Sequence, residues 1–147
     1  MWRDGALGLT LVRPNASACP QPVLVADGRG AAATRWLREL HAQLDPYGVV
    51  FPRVRTREET VRFVERGGLA GAILVCEPDW SDELALFRAV RSVDQALPCW
   101  LVAERPSRRT LQAALALDAI SVIVESTADR ELVLAMFRLF SVPYPRN

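Results

Sequence analysis

The sequence predicts a three-layer α/β domain, with a five-stranded parallel sheet doubly wound between helices, and three observations predict it. Five short apolar runs stand out: Val23 to Ala26, Val49 to Val54, Ala70 to Cys76, Cys99 to Ala103, and Ile120 to Val124. Most are continuous rather than alternating in polarity, as strands covered by helices on both faces should be. Amphipathic stretches separate these runs and another follows the last, so strand and helix alternate along residues 22–141. The third observation is length: 147 residues, half of them hydrophobic, suit one core and one domain.

Each element has a local reason. The first strand runs into Asp27-Gly28, and the helix after it carries Ala33, Trp36, Leu37, Leu40 and Leu44 at helical spacing, closed by Gly48. Thr56 and Glu59 form a capping-box pair ahead of Val61 and Val64, which starts a second helix. Ser81 caps a third helix carrying Leu86, Val90, Val93 and Leu97, and Pro98 stops it and opens the fourth strand. Ser107 caps a fourth helix with Leu111, Ala114 and Leu115 inward, and Ser126 or Thr127 caps a fifth. Five such units at this size predict the flavodoxin-like strand order 2-1-3-4-5. Residues 1–21 read as an N-terminal tail, with or without an extra strand at Leu7 to Val12, and 142–147 as the start of a linker or a C-terminal tail.

Composition narrows the function. Eighteen basic and seventeen acidic residues leave a net charge of +1, without the footprint of a nucleic-acid partner. All eighteen basic residues are arginine, and a chain without lysine forms no lysine Schiff base and is no P-loop NTPase of the usual kind. Cys19, Cys76 and Cys99 form no C-x-x-C pair, and His41 is the one imidazole, so neither a zinc site nor a disulfide framework is expected. Three reduced thiols suit a cytoplasmic protein, and no apolar run reaches the ~18 residues of a membrane span. No cofactor and no metal are expected.

In a doubly wound sheet, chemistry sits at the carboxyl ends of the strands. Those ends read Ala26-Asp27-Gly28, Cys76-Glu77-Pro78-Asp79, Ala103-Glu104 and Val124-Glu125-Ser126. The order of elements, the opening strand Val23 to Asp27 and the proline after strand three resemble the receiver domains of bacterial response regulators. That resemblance implies paired acids after strand one, a phosphoacceptor aspartate after strand three, a hydroxyl after strand four and a lysine after strand five. Position by position, only Asp27 matches. Gly28 replaces the second acid, Cys76 the phosphoacceptor, Ala103 the hydroxyl and Glu125 the lysine; a register slip of one places Glu77 or Asp79 nearer this degenerate pocket but creates no lysine. A thiol is a poor Mg²⁺ ligand and Glu125 repels phosphate, so aspartyl phosphorylation is expected to be lost.

A second likeness spans the middle of the chain. Leu40 through Phe51-Pro52, Glu59-Thr60-Val61 to Glu65, Gly71 to Val75, and Ala96 to Leu101 resemble the N-terminal wing domain of ornithine/lysine/arginine decarboxylases. The resemblance implies a non-catalytic module that helps large pyridoxal-phosphate enzymes assemble, near which some members bind a regulatory guanosine polyphosphate. It implies as partners a second copy of the chain, decarboxylase catalytic domains, or both. A free-standing pseudo-receiver that does not accept phosphate is the alternative.

Other signals have plainer readings. Gly28-Arg29-Gly30-Ala31-Ala32-Ala33 satisfies a dinucleotide-binding pattern, and Arg53 and Arg55, where an acid is expected, would suit the 2′-phosphate of NADP; such a match arises easily in a chain rich in small residues, so a small nucleotide-binding protein ranks lower. Cys76 reads as a small buried hydrophobe and His41 as a boundary residue. Trp36 and Trp100 read as core, and Trp80 as an exposed contact. The fifth helix is apolar at eight of nine residues from Leu132 to Phe140, far more than a sheet-facing stripe requires. Leu134, Met136, Phe137, Phe140 and Tyr144 are therefore expected to offer an interface to another subunit or domain.

Overall fold

The computed structural model describes residues 21–28, 34–76 and 80–140. In chain order these form β1 (Gln21–Asp27), α1 (Thr34–Leu44), β2 (Val49–Val50), β3 (Arg53–Val54), α2 (Arg57–Arg66), β4 (Gly71–Val75), α3 (Trp80–Val93), β5 (Cys99–Ala103), α4 (Arg108–Ala116), β6 (Ser121–Val124) and α5 (Ala128–Leu139). Short 3₁₀ turns at Asp45–Tyr47 and Glu125–Thr127 precede β2 and α5. The sheet is wholly parallel, in the order β2-β1-β4-β5-β6, with β3 also beside β1.

That is the expected topology, with the second strand divided in two. Phe51-Pro52 interrupts the run because proline has no N–H to give to a ladder. The sheet closes over the gap through the Pro52 carbonyl, which accepts the Val25 N–H at 2.8 Å.

Alternation along β1 separates two cores. Val23 and Val25 face α1 and α5, with Trp36, Leu40, Met136 and Phe137. Leu24 and Ala26 face α2, α3 and α4, with Val64, Phe87, Val90 and Ala114. Capping follows the sequence closely at α2, where Thr56 Oγ1 accepts the Glu59 N–H at 3.1 Å and the Glu59 carboxylate accepts the Thr56 N–H at 3.2 Å. Ser107 caps α4 by accepting the Thr110 N–H. Gly48, at φ +79°, makes the left-handed turn that delivers the chain to β2.

Several expectations need correction. The third helix starts at Trp80, so Ser81 lies inside it, and its inward residues include Phe87 while Val93 is exposed. On α4, Thr110 and Ala114 face the core and Leu115 is 53% exposed. Thr127 makes no side-chain cap; its hydroxyl donates to the Val124 carbonyl within the 3₁₀ turn.

The largest correction concerns α5. Met136, Phe137 and Phe140 are buried, Phe137 being 3% exposed, and Leu134 is half-buried. Met136, Phe137 and Phe140 do not form an open patch, because α1 packs over them: Trp36, Leu37 and Leu40 belong to the same cluster as Leu132, Val133, Met136 and Phe137. The Tyr47 ring meets Phe137 edge-on at 6.2 Å. Tyr144, the tail strand at Leu7 to Val12 and most of the glycine-rich turn after β1 lie outside the described residues.

Candidate functional site

The parallel register brings four of the expected positions to one end of the sheet. Asp27 is level with Val75, Val75 with Val102, and Ala103 with Val124, so Asp27, Cys76, Ala103 and Glu125 close the carboxyl ends of β1, β4, β5 and β6. Glu77 lies outside the described residues. Two of the four belong to the apolar core. Cys76 and Ala103 pack into the apolar cluster beneath α2, α3 and α4, which accounts for a thiol at that position as a small hydrophobe. Glu125 is half-buried in the 3₁₀ turn before α5.

Asp27 and Gly28 instead line a cleft of about 230 Å³ between the top of β1 and the start of α2. Its other polar walls are Arg55, Thr56, Arg57 and Thr60. Asp27 is 1% exposed, and Arg53 reaches it from the second strand, Nη2 donating to Oδ2 at 3.4 Å. The reason is register: Arg53 lies beside Val25, two residues before Asp27, within reach of a long side chain.

Beside this cleft, where the chain enters α2, the backbone N–H groups of Arg55, Thr56 and Glu59 are already engaged. The Glu59 carboxylate accepts from the N–H groups of Arg55, at 3.0 Å, and Thr56. These two bonds hold the Glu59 pKa below the ordinary carboxylate value of 4.5. Buried Thr60 turns its hydroxyl back to the Thr56 carbonyl at 2.8 Å. Arg55 and Arg57 are the cations of the cleft lining. Of the two arginines that a dinucleotide 2′-phosphate would call on, Arg53 is paired with Asp27 and Arg55 lines the cleft.

Sequence reading missed the Arg53–Asp27 pair, although both residues were in view. The signal was a cation one residue before the end of strand two, within a long side chain's reach of the acid that ends strand one. Among the described residues no three His, Cys, Asp or Glu side chains gather as a metal-ligand group. Among them, too, no helix is long and apolar enough to cross a membrane.

No protein-family model matches the sequence, and no curated protein matches it. Solved structures do match. The response regulator receiver domain protein (CheY-like) of Methanospirillum hungatei JF-1 superposes with a TM-score of 0.67 at 16% identity, over 83% of this chain and 94% of that one. The chain has the receiver fold. The signal receiver domain of a NarL response regulator from Mycobacterium tuberculosis gives 0.67 at 16% identity, over 86% and 100% of the two chains. The response regulator TrrA of Thermotoga maritima, solved with Mg²⁺ and BeF, gives 0.63 at 21%, over 81% and 98%. Within the receiver fold, the cleft beside Asp27 occupies the switch point where strand order reverses between β1 and β4.

Proposed function

We propose that this chain is a receiver-like module that acts by association, without enzymatic activity of its own and without accepting phosphate by the aspartyl route. The observation that carries the reading is the Arg53–Asp27 pair. A Mg²⁺ ion at a receiver pocket needs clustered oxygen ligands. Here the one acid that matches the pattern is buried against a guanidinium, which already supplies its positive charge. Cys76, Ala103 and Glu125 add no second acid at Gly28, no phosphoacceptor carboxylate and no cation for a phosphoryl group.

Incubation with acetyl phosphate and Mg²⁺ tests the phosphate half of this reading by intact-protein mass. The unmodified mass is expected, and a stoichiometric phosphoryl adduct overturns it. Light scattering across a concentration series tests association, and a chain that stays monomeric at high micromolar concentration overturns the self-associating form.

The finer version makes the module the wing domain of a basic-amino-acid decarboxylase, with a second copy or the catalytic domains as partners. It is supported by the run from Leu40 through Phe51-Pro52, by Gly71 to Val75 and by Ala96 to Leu101. An immunoblot of source-cell extract separates it from a free-standing pseudo-receiver. The wing reading expects a band several times heavier than 16.3 kDa, and a band at 16.3 kDa removes it.

A further inference from the structure

α1 and the sheet do not use all of the apolar surface of α5. A second cleft, of about 450 Å³, lies beside β6 and is lined by Trp100, Ile120, Ser121, Ile123, Ala135 and Leu139, with Glu131 and Arg138. Ile120 is 54% exposed there. Among the described residues β6 has β5 as its one neighbour, so its outer edge offers backbone N–H and C=O groups to a further strand. The opposite edge of the sheet is unlike it, interrupted at Pro52 and lined by the exposed Arg53 and Arg55.

We propose that Leu7–Val12 of this chain's own amino-terminal segment occupies this place, pairing antiparallel with β6 and laying leucines into the cleft. Leu7, Leu9 and Leu11 alternate with Gly8, Thr10 and Val12, so a strand there turns all three leucines to one side. Ser121 and Ile123, which line the cleft, mark the face of β6 that those leucines extend.

The connection is long enough. β1 starts at Gln21, at the same end of the parallel sheet as Ser121. The position outside β6 lies four strand spacings from β1, roughly 19 Å. Residues 13–20 span up to roughly 26 Å when extended. A segment that must return to the foot of β1 runs down the edge, hence the antiparallel sense. Pro14 and Pro20 fall in the connection, where a missing N–H costs the ladder nothing. The other end of the chain is a poorer occupant, since Pro143 and Pro145 break any alternation in 141–147. None of this depends on the function proposed above.

Hydrogen exchange on the full chain and on a chain lacking residues 1–12 tests the proposal. Deletion is expected to raise exchange at β6 amides by ~10-fold or more and to leave β1 and β4 unchanged. Unaltered β6 exchange in the folded, shortened chain overturns it. So does β6 protection that grows with protein concentration, which assigns the edge to a second copy. A cross-linking pair keeps the test open should the shortened chain fail to fold. In the full chain carrying Cys19→Ser, Leu11→Cys with Ser121→Cys is expected to form an intramolecular disulfide under mild oxidation, since directly opposed residues lie within disulfide reach. Leu11→Cys with Val50→Cys, on the opposite edge, is expected not to. Failure of the first pair, or preference for the second, overturns the proposal.

Discussion

Arg91 shows how much one side chain organises at the residue scale. Its guanidinium donates to the carbonyls of Leu97 at 2.6 Å, Leu117 at 2.8 Å, Asp118 at 2.8 Å and Asp94 at 3.4 Å, and it lies 5.2 Å over the Phe87 ring. It thereby ties the carbonyls of the loop after α3 to those at the left-handed Asp118 turn after α4. Arg91→Lys loses the planar fork and is expected to cost about 2 kcal/mol, read from urea unfolding. Glu59 gives a pH signature. Its folded pKa is depressed, so it adds stability above the ordinary value of 4.5 that is lost as pH falls through the lower folded value. Glu59→Gln is expected to flatten the acid side of a stability profile taken between about pH 6 and pH 3. Cys99 has the opposite sign: burial pushes its thiol from 9.0 up to about 11. The neutral thiol then stabilises the fold below 9.0, and that contribution fades as pH rises towards 11. Iodoacetamide at about pH 8.5 is expected to label Cys99 only as fast as the whole domain opens.

At the scale of elements, α5 carries the most weight. Phe137 sits among α1, the sheet and the Tyr47 ring, so Phe137→Ala is expected to cost about 3–5 kcal/mol and Phe137→Asp to unfold the domain, measured by circular dichroism. Leu115→Glu, on the open face of α4, is expected to shift stability by no more than about 0.5 kcal/mol. The contrast explains what the sequence could and could not tell. Eight apolar residues in nine announce that α5 is covered on more than one side. They do not distinguish a neighbouring helix of the same chain from a second subunit, because both remove the same area from water. Leu115 was misplaced for a related reason: α4 is short, and Ala114 with Thr110 suffices to seat it, leaving the next leucine outside. Gly71 is a smaller case of packing that periodicity cannot register. A Cβ there would come within 2.9 Å of the Trp100 ring, so Gly71 lets β4 pass beneath an indole.

For the molecule as a whole, the topology was legible because most of the parallel strands are unbroken apolar runs with a helix signal behind them. Strand order followed from handedness and length rather than from any single residue. The acid at the switch point was legible as well, since Asp27 ends the first run. Its partner was not, because the Arg53–Asp27 contact exists only once β3 lies in register against β1. Restoring one missing receiver residue should therefore not restore the chemistry. Glu125→Lys is expected to remain unmodified by acetyl phosphate and Mg²⁺, because Cys76 still faces the apolar cluster and Arg53 still holds Asp27. A phosphoryl adduct on that variant, detected by mass, would show that the pocket needs only its cation.

The division of the second strand at Pro52 also bears on crowding. Unlimited edge-to-edge growth needs two receptive borders per molecule, one to give and one to receive. Among the described residues, Pro52 and arginines line the β2–β3 border, which leaves the β6 border as the receptive one. A sheet with one receptive border stops at closed pairs and does not take the route to fibrils that a sheet open at both ends leaves available.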